Sequence, residues 1–292
     1  MDNNSADAII QECRKEIDQL DDQILALFAK RCEFVARVGE VKKNLPGTQC
    51  FIRPGREASM VRRVVKQGAG KLPRQTIASM WRMLISGSIL IEQNVSVAAY
   101  APDACPDYFW LSREYFGPFT PVRKHPAINR VLGDVMEGDS TIGLLPMPHE
   151  AAAENWWVTL AQGGEDWPRI FACVPFLHSG RGNKQTVPSA IAIAKLKPEK
   201  TGNDVSLVAV KADANTSRGR LSEGFTRYGL EASCLATEEA LDKRQDTRWH
   251  LFEIPEFVSP DYESMKSYVS DMGSNILQLR VLGAYAAPLK IS

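Results

Sequence analysis

The chain has 292 residues, with 35 lysines and arginines against 35 aspartates and glutamates and 44% hydrophobic residues. This length predicts two or three domains of about 100 residues, and the charge balance excludes a global basic field that would recruit nucleic acid or acidic lipid, so any anion binding is local. No apolar run reaches the ~18 residues of a spanning helix, and Met1 to Ser5 begin a polar segment without a signal-peptide core, so a soluble, cytoplasmic protein without membrane or nucleic-acid partners is expected.

The first element is a long helix over 7–43. Ile10, Cys13, Ile17, Leu20, Ile24, Leu27, Arg31, Phe34, Val38 and Val41 follow one another at alternating spacings of 3 and 4, a seam for packing against other helices. One member is an arginine. In a packed seam an unpaired guanidinium costs several kcal/mol, so Arg31 either pairs with a carboxylate that fixes register or meets an anionic ligand. Lys42 shares its face, eleven residues on, roughly 16 Å along the axis and about 20° around it. Arg14 lies seventeen residues before Arg31, roughly 25 Å away, too far to help it hold one small ligand within the same helix but able to reach a partner's site.

Asn44-Leu45-Pro46-Gly47 ends this helix, because proline and glycine stop helical propagation. A second helix is expected from about Pro54 to Gln67, where Ala58, Val61, Val64 and Val65 keep helical spacing before Gly68-Ala69-Gly70. A third opens near Pro73 and carries Ile77, Met80, Trp81, Leu84, Ile85, Ser88 and Glu92 on one face to about Gln93. Ser88 there is ordinary, since a hydroxyl bonds back to a preceding carbonyl. Glu92 is not.

From Asn94 the composition changes. Strands are predicted at 95–100, 141–145, 169–175 and 190–195, with helices at 107–116, 127–137 and about 154–162. A polar linker, Pro198 to Asp204, separates this α/β unit from strand 205–211, helix 219–228, strands 231–236 and 248–253, helix 262–272 and strand 276–283, an order β-α-β-β-α-β that is ferredoxin-like. The cysteines, Cys13, Cys32, Cys50, Cys105, Cys173 and Cys234, form no C-x-x-C, and His125, His149, His178 and His250 are scattered. Neither a metal site nor a histidine-centred triad is therefore expected.

The blocks Arg14-x-x-Ile17-Asp18-x-Leu20-Asp21, Leu27-x-x-x-Arg31, Val38-Gly39-x-x-Lys42, Arg56-Glu57 and Ser88 with Glu92 resemble the all-helical class of chorismate mutases over residues 7–93. The resemblance implies an all-α three-helix domain in an intertwined homodimer, with chorismate as substrate, prephenate as product and no cofactor. It implies that Arg31 and the partner chain's Arg14 bind the two substrate carboxylates, with Arg56 enclosing the site. Lys42 donates to the ether oxygen, Glu57 accepts from the ring hydroxyl, and Ser88 and Glu92 complete the set. Arginine suits carboxylates through its planar two-pronged fork, and Lys42 stabilises charge that builds only in the transition state. Glu92 matches a position that is glutamine in many members. Only a protonated glutamate can donate to the ether oxygen, so activity is expected to fall as pH rises through the ionisation of Glu92. Arg53 departs from members with an acidic residue there.

Residues 95–196 resemble prephenate dehydratase, through Val97-Ala98-Ala99-Tyr100-Ala101-Pro102 and Gly143-Leu144-Leu145-Pro146. The chemistry is missing: Met147-Pro148-His149 stands where that family has Glu-Asn-Ser, and Pro188-Ser189-Ala190 where it has Thr-Arg-Phe. Too few residues separate these points for a second lobe, so no dehydratase activity is expected. His149 and Glu150 are read as caps of the following helix. Residues 204–290 resemble the ACT regulatory domain through Val281-Leu282-Gly283-Ala284-Tyr285, with altered ligand loops at Ser217-Arg218-Gly219-Arg220-Leu221 and Ser233-Cys234-Leu235. The expected organisation is a mutase domain at 1–94, a truncated dehydratase-like α/β lobe at 95–197 and an ACT-like βαββαβ domain at 204–292. The expected protein is a chorismate mutase in aromatic amino-acid biosynthesis. The alternatives are a bifunctional mutase/dehydratase, a pyruvate lyase acting on isochorismate and a non-catalytic chorismate-sensing subunit.

Overall fold

The computed structural model describes residues 3–45, 51–149, 155–179, 188–239, 246–259 and 262–291. They fall into two compact units, Met1–Phe51 with Ser88–Asn94, and Ile52–Gly87 with Val95–Ser292.

In the first unit, α1 (Asn3–Lys43) is a 41-residue helix, about 60 Å long at 1.5 Å per residue. It closes where Asn44 and Leu45 donate their backbone N–H groups to Val41 and Lys42 carbonyls and the Asn44 side chain donates to Glu40 O at 3.0 Å. The seam that the 3–4 spacing predicts is continuous, yet in the single chain Ile17, Leu20, Leu27 and Phe34 are 54%, 55%, 65% and 54% exposed. No described residue covers that stripe.

The second unit begins with α2 (Pro54–Gln67), whose first turn holds Pro54 and which ends at Gly68 with φ +67°. Proline suits that turn because its missing N–H would be unpaired there anyway. Ala58, Val61, Val64 and Val65 are buried, as their spacing predicts. The segment 199–204 grips this helix. A Cβ on Gly55 would meet Lys200 O at 2.7 Å, and Arg62 donates to Thr201 O and Asn203 O at 2.8 Å each and to Ala287 O at 3.4 Å. Helix α3 (Arg74–Glu92) follows.

A nine-stranded mixed sheet then organises the described chain. Its strands are β1 (Val97–Tyr100), β2 (Val122–His125), β3 (Ile142–Pro146), β4 (Arg169–Val174), β6 (Ala190–Ala194), β7 (Asp204–Asp213), β8 (Ser233–Glu239), β9 (Thr247–Ile254) and β10 (Ile276–Ala286). Their spatial order is β2-β1-β3-β6-β4-β10-β7-β9-β8. The pairs β2–β1, β1–β3 and β4–β10 are parallel and the others antiparallel. A short pair, β5 (Leu177–Ser179) and β11 (Leu289–Ile291), lies outside it. Helices α4 (Asp107–Phe116), α5 (Ile128–Glu137), α6 (Trp156–Gln162), α7 (Arg218–Arg227) and α8 (Glu263–Met272) complete the chain. The order from β7 to β10 is the expected β-α-β-β-α-β. Leu221 and Phe225 of α7 and Met265 and Tyr268 of α8 cover Val208, Val210 and Phe252 on one sheet face.

The feature not foreseen is that the α/β part and the βαββαβ part share one sheet. The junction is the pairing of Gly283 with Ile170. Gly283 has φ +144°, and a Cβ there would lie 2.2 Å from Ile170 O and 2.6 Å from Ile170 N, so only glycine lets the two backbones come together. Other differences are local. Strand β2 was not anticipated, because a four-residue stretch with Arg123 and Lys124 at its centre shows no apolar alternation. Helix α6 begins at Trp156 behind Asn155, whose φ is +54°. The capping expected of Glu150 falls outside the described residues.

Candidate active site

Two pairs link α1 and α3 within the first unit. Arg31 Nη1 donates to Ser88 Oγ at 2.5 Å. One turn of α3 further on, Glu92 forms an ion pair with Lys42, whose side chains are 13% and 17% exposed. Ser88 and Glu92, four residues apart, stand on one face of α3, as Arg31 and Lys42 share a face of α1. The helices approach closely between these pairs: a Cβ on Gly39 would lie 3.1 Å from the Glu92 Cα. That gives the glycine of Val38-Gly39-x-x-Lys42 a steric reason.

Lys42 has further partners. Its ammonium donates to Phe51 O at 3.3 Å and lies 5.1 Å from the Phe51 ring centroid, an arrangement in which a cation is attracted to the ring face. Phe51 is itself fixed, its N–H donating to Gln93 Oε1 at 3.0 Å. The other end of that amide, Gln93 Nε2, is buried with no hydrogen bond among the described residues. Phe51, Glu92, Gln93 and Asn94 line a recess of about 420 Å³. Its lysine is the exposed Lys43, whereas Lys42, held by Glu92 and Phe51 O, is not part of the lining. Gln93 and Phe51 were not foreseen from sequence, since nothing local marks a glutamine whose amide is left over.

The remaining predicted residues are placed differently. Arg14 is exposed on α1, away from Arg31 along the axis. Arg56 is exposed on α2 in the second unit. Glu57 beside it is buried and already engaged: its Oε2 accepts from Arg82 Nη2 at 2.7 Å and its Oε1 from the Arg53 N–H at 3.2 Å. Arg82 also donates through Nε to Tyr115 O at 3.0 Å and lies 4.1 Å from the Tyr115 ring centroid. Burial opposes the charged guanidinium, but the neighbouring Tyr115 and Glu57 outweigh it and hold the Arg82 pKa above its ordinary value. Burial likewise raises the Tyr115 hydroxyl. Sequence reasoning did not supply Arg82, which stands off the apolar face by which α3 was recognised. Arg53 Nε forms an ion pair with Glu199, so the residue that departs from the family pattern ties α2 to the segment 199–204.

Residues 13–93 match the model of the family described as chorismate mutase type II. The chain is 27% identical over 144 residues to the bifunctional chorismate mutase/prephenate dehydratase of Aquifex aeolicus (strain VF5), covering 47% of this chain and 38% of that protein. With the protein of the same description from Stutzerimonas stutzeri it shares 27% identity over 141 residues, with the same coverage. The matched part is thus less than two fifths of the length of these curated relatives. A prephenate dehydratase from Arthrobacter aurescens, solved in complex with L-Phe, superposes with a TM-score of 0.51 at 13% identity, over 66% of this chain and 90% of that one, a likeness of fold. Residues 13–93 are therefore a chorismate mutase type II domain, carried on a chain homologous to the bifunctional chorismate mutase/prephenate dehydratases and folded, beyond its N-terminal helices, like a prephenate dehydratase.

Proposed function

We propose that this protein is a chorismate mutase that converts chorismate to prephenate and has no dehydratase activity. The observation that carries the reading is the pairing of Lys42 with Glu92 and of Arg31 with Ser88, inside the segment that matches the mutase family. In the rearrangement the ether carbon–oxygen bond breaks as a carbon–carbon bond forms, with no proton transfer and no cofactor. Lys42 donates to the ether oxygen as negative charge builds there, a contact stronger in the transition state than in the bound substrate. Glu92, when protonated, donates to the same oxygen. Arg31 binds one carboxylate of chorismate and Ser88 holds the guanidinium in place. The second carboxylate is taken by Arg14 of a partner chain. The rest of the rate enhancement is conformational, the extended ether being held in the compact geometry that the reaction requires.

A homodimer is part of this reading, supported by the uncovered apolar stripe of α1, which by itself would be an aggregation liability. Among the described residues no helix is long and apolar enough to cross a membrane. We divide the function among a mutase segment 1–94, a dehydratase-like segment 95–197 that lacks the acid for dehydration, and an ACT-like segment 204–292. The test is chorismate consumption by the purified chain with the product identified before acid treatment. Prephenate alone supports the proposal, phenylpyruvate overturns the loss of dehydratase activity, and no turnover overturns the mutase assignment.

A further inference from the structure

Within the second unit, α2, α3, α4 and the turn from β4 into β5 enclose a cavity of about 180 Å³ that the mutase reading does not use. Its walls are apolar: Val61, Ala78, Leu111, Val174, Pro175 and Phe176. Three exposed residues, Ser79, Met83 and Glu114, also line it and open it to solvent. The other charged group in its lining is Arg82, which is 9% exposed. Of the guanidinium nitrogens, Nε is committed to Tyr115 O and Nη2 to Glu57, while Nη1 has no hydrogen bond among the described residues. Nη1 is thus the guanidinium nitrogen left to meet an acceptor that enters the cavity.

The charges limit what can enter. Arg82 is balanced by Glu57, and Glu114 adds a second carboxylate, so a simple carboxylic acid would bring a further anion beside two others. A zwitterion leaves the balance unchanged: its carboxylate takes Arg82 Nη1 and its ammonium takes Glu114. A cavity of about 150 Å³ holds a benzene ring, so this one takes an apolar side chain of that size with its head group toward the mouth. We propose that this cavity is a binding site for a free α-amino acid with an apolar side chain of leucine to phenylalanine size. The site goes beyond the mutase reading, and because Arg82 is also the partner of Glu57, its occupant acts on the group that holds Glu57.

The test is equilibrium dialysis of the full chain, without chorismate, against radiolabelled L-phenylalanine and L-leucine, so that loss of mutase activity and absence of this site are separate results. Arg82 is left unaltered because Glu57 depends on it. Ser79→Phe, at an exposed position, places a ring in the mouth, and Glu114→Gln, also exposed, removes the partner of the ammonium. Binding is expected in the wild type, lost in Ser79→Phe and at least ten-fold weaker in Glu114→Gln. Phenethylamine and 3-phenylpropanoate, each lacking one charge, should compete at least ten-fold less well. No binding of either amino acid up to about 10 mM, affinities weaker than about 3 kcal/mol, or binding unchanged in either variant, overturns the proposal.

Discussion

Arg82→Leu should destabilise the protein by about 3–4 kcal/mol, and the double change Arg82→Leu with Glu57→Leu should recover most of that loss. The Arg82 and Glu57 side chains are 10% and 11% exposed, with nitrogen and oxygen 2.7 Å apart. At an effective dielectric constant of about 20, unit charges about 4 Å apart attract by about 4 kcal/mol. Removing one partner of a buried pair costs about 3–5 kcal/mol, because the other charge is left without compensation. The lost contact with the Tyr115 ring adds about 1–2 kcal/mol, and the apolar surface that leucine buries offsets about as much. In the double variant no carboxylate is stranded, so stability should return to within about 1 kcal/mol of wild type. Denaturant unfolding of the full chain, followed by tryptophan fluorescence, measures all three proteins. A single variant that loses less than about 1 kcal/mol, or a double variant no more stable than the single, would refute the claim that Arg82 holds the Glu57 charge.

Lys42→Ala should lower kcat/KM for chorismate by about 10²–10³-fold, the range for loss of one donor to a developing oxyanion, and unaltered turnover would remove Lys42 from the mechanism. Gly283→Ala should cost at least about 2 kcal/mol, combining a strained backbone with a methyl pressed on Ile170, and a thermal midpoint equal to wild type would show that the sheet junction is not as tight as described. His250 is buried, and burial together with Arg218 and Arg248 lowers its pKa from 6.5 to about 4. The unfolded chain then binds a proton that the folded chain does not, so stability is full above pH 6.5 and declines by up to about 3 kcal/mol as pH falls toward 4. His250→Gln should weaken that slope. Leu20→Glu with Leu27→Glu on the α1 stripe should convert a dimer to monomers in light scattering, whereas unchanged mass would place the subunit contact elsewhere.

The sequence by itself determined the features that depend on neighbours along the chain. Residues spaced at helical intervals marked α2 at 54–67 and α4 at 107–116, because a stripe of valines or aromatic residues can be buried only as a helix. The same local logic brought Arg31 and Lys42 to one face of α1 and Ser88 and Glu92 to one face of α3, and an arginine in an apolar seam called for a polar partner, which the fold supplies as the Ser88 hydroxyl. Tertiary structure decided what depends on residues far apart in sequence. Strand β2 exists because Val122–His125 pairs with β1, since three of its own four residues are polar. Gly283 stood in a recognisable motif, but the reason it must be glycine lies in Ile170, on another strand. Glu57 looked like a substrate ligand in sequence, and the fold gives it Arg82 as a buried partner. Periodicity records which side of an element is buried; which atoms meet there is fixed only when distant segments pack and each buried charge finds its counterpart.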